Sequence, residues 1–258
     1  MPHDRPSDRP TDRLSERPSE RRNAARTSVV WDALRPVLDG DAVDVLDIGG
    51  GTGGLAVRVA ELGHRVRVVD PSPDALASLD RRARELGVTV QGQQGDLSTL
   101  LEVTGPDSAD VVLCHGVLEV VEDPAAALAT LRRVLRPGGT LSLLVGQRHA
   151  AVVTRAMAGH FAQALALLDG GPASSSARDA GTGRSGRRFT DVEVTGLLEA
   201  AGFTVGAVHG VRVFADLVPG SLLDLEPGAT AALVDLERAV SVRPEFRPLA
   251  AQLHVLAG

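Results

Sequence analysis

Apolar positions recur along this chain with two periods. Between Asn23 and Leu38 they fall at Val29, Val30, Ala33, Leu34, Val37 and Leu38, the spacing of one helix face, and Gly40 ends the run. From Val43 to Ile48 the pattern shortens to that of a buried strand. A helix is then expected from near Gly54 to Gly63, a second strand at Val66–Asp70, a short third at Val88–Val90 and a fourth at Asp110–His115. A helix over Pro124–Leu135 and the turn Arg136-Pro137-Gly138-Gly139-Thr140-Leu141 lead into a fifth strand that ends near Val145. One helix is predicted from about Ala150 to Leu168. The stretch from Asp169 to Arg187, rich in Gly, Ser, Ala and Arg, reads as a mobile loop over the carboxyl edge of the sheet. Thr190-Asp191-Val192-Glu193 is a capping box that opens a helix closing at Gly202. A sixth strand from Phe203 to Phe214, a helix over Ala229–Val240 and a last strand at Gln252–Leu256 complete the pattern.

The join between the first strand and its helix carries the chemistry. Gly49, Gly50, Gly51, Gly53 and Gly54 let the backbone turn tightly and approach a ligand. Asp47 lies inside the first strand. Asp70 ends the second, where a carboxylate can accept both hydroxyls of a ribose. A dinucleotide fingerprint reads G-x-G-x-x-G and places a pyrophosphate on the helix N-terminus. Here an acid stands two residues before the glycines; it would repel a pyrophosphate and pair well with the amino-acid end of an adenosyl ligand. Asp70 also has an ordinary reading as the cap of the next helix, a task that Ser72 or Asp74 can perform instead.

With these residues in place, Val45-Leu46-Asp47-Ile48-Gly49-Gly50-Gly51-Thr52-Gly53 resembles the first motif of the class I S-adenosylmethionine-dependent methyltransferases. The resemblance implies an α/β fold: a Rossmann-like, doubly wound sheet of seven strands with the last strand antiparallel between the fifth and sixth. S-adenosylmethionine is the implied cofactor, held by Asp47, Gly49, Gly51, Asp70, Asp96 and Leu97. Gly95-Asp96-Leu97 resembles the segment whose acid receives the adenine amino group; a loop cap is the alternative for Asp96. His115, at the end of the fourth strand, falls where class I enzymes place cofactor-edge or substrate groups, or it simply packs there. Glu119 reads as a residue that caps or solvates a turn, and Cys114 as buried and inert.

Composition narrows the class. The 258 residues allow one large α/β domain, expected at 23–258, with a substrate lid at about 149–188. The first 22 residues repeat Asp-Arg-Pro-Ser-like units and read as a disordered tail. A single cysteine excludes an internal disulfide, and neither a leader nor a long apolar span is evident, so a cytoplasmic protein with no membrane partner is expected. No metal is implied. The net charge of −6 argues against a broad nucleic-acid surface, although basic residues can be concentrated locally. Aromatic residues make up only 2% of the chain.

The C-terminal half extends the resemblance. His115-Gly116-Val117-Leu118-Glu119, with Gly210-Val211-Arg212-Val213-Phe214 and Leu236-Glu237, resembles the tRNA methyltransferases that esterify 5-carboxymethoxyuridine at the wobble position, over roughly Arg26 to Val255. Arg26 and Trp31 match the branch's first helix, and His149 with Ala158-Gly159 its helix after the fifth strand. The resemblance implies transfer of the cofactor's methyl group by in-line attack, with alignment as the main task. Arg212, in an otherwise apolar strand, needs an anion: a substrate carboxylate, or a structural pair with Asp216 or Glu237. Arg26 is either a second clamp on that carboxylate or an exposed helix arginine. A carboxylate acceptor needs no base; a hydroxyl or amine acceptor would call on His115 or His149. Arg178, Arg184, Arg187 and Arg188 give the expected lid a local positive charge, while Trp31, Phe161 and Phe189 are the few aromatics open to base stacking. The acceptor is thus tRNA or a small molecule, and a non-catalytic cofactor-binding regulator stays open.

Overall fold

The computed structural model describes residues 18–168, 186–223 and 227–258, with side chains from Arg26 onward. Five strands alternate with helices in the first half: α1 (Pro18–Leu38), β1 (Asp44–Ile48), α2 (Gly54–Ala60), β2 (Arg65–Asp70), α3 (Pro73–Glu85), β3 (Val90–Gln94), α4 (Leu100–Thr104), β4 (Ala109–His115), α5 (Pro124–Val134) and β5 (Leu135–Gly146). The second half contributes α6 (Arg148–Met157), α7 (Phe161–Leu168), α8 (Asp191–Ala200), β6 (Val205–Val211), α9 (Gly220–Leu223), α10 (Ala229–Ser241), a 3-10 turn (Pro244–Leu249) and β7 (Gln252–Ala257).

The strands form one seven-stranded sheet in the order β3-β2-β1-β4-β5-β7-β6. All neighbours are parallel except β7, which runs antiparallel to both β5 and β6, as expected. Both faces are covered, so the inner strands are apolar almost throughout. Alternation sorts their side chains. Leu46, Ile48, Val112 and Cys114 join the core with α5 and α8, whereas Val45, Val111, Leu113 and Leu144 join the core with α1, α2 and α3.

Several boundaries differ from the sequence pattern. The first helix starts at Pro18, five residues before Asn23, because proline with its fixed φ is well suited to the first helical position; residues 1–17 of the expected tail lie outside the described residues. The third strand is Val90–Gln94 and not Val88–Val90, an edge strand that faces solvent and needs little apolar content. The Arg136–Thr140 turn is absorbed into β5 as an irregularity, since Leu135 pairs with Ala109 and Thr140 with Val111. The single helix expected over 150–168 is two. Gly159 takes φ 77 at the end of α6, and its N–H and that of His160 close the last turn onto Ala156 and Arg155. The sixth strand stops at Val211, not Phe214, because the chain turns at Arg212 with φ 58. The capping box at Thr190 is present in full.

Candidate cofactor and acceptor site

The glycine turn leaves β1 with Gly49 at φ 69 and Gly51 at φ 56, a backbone conformation that side-chain-bearing residues resist. Gly51 donates its N–H to Asp70 Oδ2 over 2.9 Å, and Ser72 donates its N–H to Oδ1 at the same distance. The cap of α3 is Ser72, whose hydroxyl accepts from Ala75 N–H. Asp70 is therefore not the cap; it ties the end of β2 to the turn.

Asp47 lies directly under that turn, so close that a Cβ on Gly50 would stand 2.5 Å from its Oδ2. It is 3% exposed. Burial foremost, and then the neighbouring Asp70 carboxylate, push its pKa up to about 7 against the opposing pull of the Arg26 guanidinium.

Gly49, Gly51, Asp70, Asp96, Leu97 and Val117 share the wall of one cavity of 710 Å³, within the range of small-molecule sites at about 300–1,000 Å³. Five residues expected to meet a cofactor are thus brought together, at the carboxyl ends of the parallel strands where the strand order reverses. Asp96 also caps its own loop: Oδ1 accepts from Ser98 Oγ at 2.5 Å, Ser98 N–H at 2.9 Å and Thr99 N–H at 3.2 Å. The Ser98 bonds hold its carboxyl below the usual range and keep it ionised.

A second group gathers beside this cavity, under the N-terminal half of α1. Arg26 is largely buried, which excludes the reading as an exposed helix arginine. Burial lowers its pKa, followed by the like charge of Arg212, while Glu119 and Asp47 pull it upward. Its Nε has no hydrogen-bond partner. Arg212 has one: Nε and Nη2 donate to Asp216 Oδ2 at 3.1 and 2.5 Å. Glu237 is not its partner, being fully buried and accepting from the N–H groups of Val213, Phe214 and Ala215 at 2.7–2.8 Å.

His115 ends β4 immediately before Gly116, which lines the cavity. Its Nε2 is 2.9 Å from Ser142 Oγ, and burial together with the Arg26 charge pushes its pKa down to about 3, so the ring is neutral. His149 sits apart at the start of α6, with Nδ1 3.4 Å from Gln147 Nε2. Cys114 is fully buried and its thiol is pushed well up by that burial, in keeping with an inert residue.

Glu119, expected to cap or solvate a turn, reaches instead to the end of β5. Its Oε1 accepts from Gly146 N–H at 2.8 Å, its Oε2 is buried without a partner, and burial raises its pKa against Arg188 and Arg26. No local sequence signal marks this role, because Gly146 is 27 residues away. Arg188 lies across Gly146, where a Cβ would push its guanidinium aside. Arg187 is tied through its N–H to Glu119 O at 2.8 Å, whereas Arg178 and Arg184 lie outside the described residues.

Comparison with known proteins bears on this geometry directly. A family described as a methyltransferase domain matches residues 46–143, from β1 to β5. The tRNA 5-carboxymethoxyuridine methyltransferase of Escherichia coli O157:H7 is 31% identical over 240 residues, covering 90% of this chain and 87% of the relative. The chain belongs to the class I S-adenosylmethionine-dependent methyltransferases. A ubiquinone biosynthesis O-methyltransferase of Paraburkholderia xenovorans (strain LB400) is 40% identical to this methyltransferase over 95 residues, 37% of this chain and 40% of that one. The crystal structure of an S-adenosylmethionine-dependent methyltransferase from Mesorhizobium loti superposes with a TM-score of 0.57 at 20% identity, over 89% of this chain and 97% of the other, a likeness of fold. The cofactor of this methyltransferase is S-adenosylmethionine, and the cavity suits it. A Cβ at Gly116 would project into open space, and the wall combines the Asp70 and Asp96 carboxylates with the apolar Ile48, Leu97 and Val117. Among the described residues there is no group of three or more His, Cys, Asp or Glu suited to a metal, and no helix long and apolar enough to cross a membrane.

Proposed function

We propose that this methyltransferase esterifies the side-chain carboxylate of 5-carboxymethoxyuridine in tRNA. The observation that carries the reading is the 31% identity to an enzyme of that name through 90% of the chain, well beyond the cofactor half that methyltransferases of many substrates share. The cations near the crevice fit such an acceptor. Arg26 and Arg188 lie within electrostatic reach of the Glu119 carboxylate, and Arg212 within reach of Arg26. A carboxylate arriving there would be desolvated against fixed positive charge.

In this reading the cofactor supplies a methyl group already activated on a sulfonium. The residues position it and its acceptor. Asp47 pairs with the cofactor's ammonium; Arg26, which feels Asp47 and His115 as well as Glu119, takes its carboxylate. Asp70 receives the ribose hydroxyls, the unshared Oδ2 of Asp96 receives the adenine amine, and Leu97 packs on the ring. Gly49 and Gly51 give the backbone close approach. Arg212, oriented by Asp216, holds the acceptor carboxylate in line. Such an acceptor is ionised at neutral pH and requires no base. For base stacking the chain offers Phe161, 70% exposed, since Phe189 is buried and Trp31 is covered by the Arg58 guanidinium at 3.7 Å.

The test is the nucleoside profile of tRNA from cells lacking this protein. Accumulation of the free acid at the expense of its methyl ester, reversed by the wild-type gene and not by Arg212→Gln, supports the reading. An unchanged profile refutes it.

A further inference from the structure

Behind His115 lies a set of buried polar groups that has no part in the chemistry described so far. On the sheet face covered by α1, Ser142 Oγ lies 2.9 Å from His115 Nε2 and 2.7 Å from His254 Nε2. The register explains the convergence. Leu144 of β5 pairs with His115 on one side and His254 on the other, and Ser142 is two residues earlier on the same face. Ser142 and His254 are fully buried. His209, paired with His254 across β6 and β7, stacks on it with ring centroids 5.6 Å apart.

A hydroxyl has one proton, so it donates to one imidazole and accepts from the other. Two arrangements satisfy both distances. In the first, His115 carries its proton on Nε2 and donates to Ser142, which donates to His254; the His254 proton then sits on Nδ1. In the second, His254 donates from Nε2, Ser142 donates to His115 Nε2, and the His115 proton sits on Nδ1. The choice is decided by His254 Nδ1, which is buried without any partner. A bare ring nitrogen there is tolerable, whereas an orphaned N–H costs more and is rarer in folded proteins. The second arrangement is favoured. Burial lowers the pKa of His115, His254 and His209 alike, which keeps the rings neutral so that the tautomer argument applies.

We propose that Ser142 and His254 lock the tautomer of His115, so that this histidine carries its proton on Nδ1, where it is a hydrogen-bond donor and does not serve as a base. Ser142 and His254 are positioning residues acting through His115. The identity of the oxygen that receives the bond, a carboxylate of the acceptor or cofactor, rests on the function proposed above; the tautomer itself does not. A donor at this place suits an acceptor that is already anionic, and it leaves a hydroxyl acceptor without its nearest candidate base.

The experiment is a long-range proton–nitrogen correlation spectrum of the full-length protein labelled with nitrogen-15 at histidine, recorded without any acceptor. His115, assigned by its loss in His115→Gln, is expected to show a protonated Nδ1 and a bare Nε2. Ser142→Ala is expected to move both nitrogens toward exchange-averaged positions and to lower kcat/KM by about 2–10-fold, the loss of one neutral hydrogen bond. Ser142→Thr, which keeps the hydroxyl, restores the wild-type signature. A wild-type His115 protonated on Nε2 or on both nitrogens overturns the proposal, as does an unchanged tautomer in Ser142→Ala. Should that variant fail to fold, the wild-type spectrum decides alone. A protein with the expected tautomer that methylates no tRNA would refute the function and leave the lock standing.

Discussion

Gly51 donates its backbone N–H to the Asp70 carboxylate across 2.9 Å, joining the turn after β1 to the end of β2. With Ser72 N–H on the other oxygen, Asp70 holds two loops in place ahead of any ligand, and its remaining lone pairs stay available to ribose hydroxyls. Asp70→Asn leaves a single acceptor for two N–H groups. It is expected to destabilise the protein by about 1–3 kcal/mol and to weaken cofactor binding at least ~10-fold, measured by thermal unfolding and calorimetry; Asp74→Asn on the following helix should do neither.

Asp47 makes cofactor binding proton-linked. Its folded pKa is raised to about 7 by burial and by Asp70, above the unfolded value near ~3.9. Its contribution to stability is therefore fully present below pH ~4 and is lost as pH rises through about 7. A cofactor ammonium stabilises the ionised form, so binding at pH 6 should release close to one proton, declining toward none above pH ~8. Calorimetry in two buffers of different ionisation enthalpy reads the proton count. Asp47→Asn should abolish it and weaken binding by about 1.5–3 kcal/mol, a factor of ~10–150.

Arg26 and Arg212 are expected to separate kinetically. Arg26→Gln should raise the cofactor Kd, because its field includes Asp47, whereas Arg212→Gln should raise KM for the acceptor and leave the cofactor Kd within about twofold. A shift in acceptor KM alone for both variants would return Arg26 to the role of substrate clamp.

The Glu237 carboxylate organises the turn that carries Arg212, accepting three successive backbone N–H groups. Removing it in Glu237→Ala orphans all three in a buried place and should cost about 3 kcal/mol or more. The loss should be visible as a lowered Tm in the absence of any ligand.

Much of this was legible in the sequence, and the reasons for the gaps are physical. The β1–turn–α2–β2 unit announces itself because buried parallel strands are apolar, glycines allow the turn and the acids stand at fixed offsets. Caps such as Thr190 are local and read correctly. The third strand was expected, but its bounds at Val90–Gln94 were not legible, because solvent on its exposed side removes the apolar signal. Arg212 looked like part of a strand, and only its positive φ reveals that the strand ends one residue before it. Glu119 with Gly146, and Ser142 with His254 112 residues further on, meet through the lateral order of strands, which no local pattern encodes.

The central claim, a carboxylate of tRNA as methyl acceptor, is tested most directly by transfer of radiolabelled methyl from S-adenosylmethionine to total tRNA from cells that lack the wobble methyl ester. The account predicts incorporation that requires Asp47 and Arg212 and is released as methanol by mild alkali. Label that survives alkali, or no label in tRNA from a protein that binds the cofactor, would contradict it.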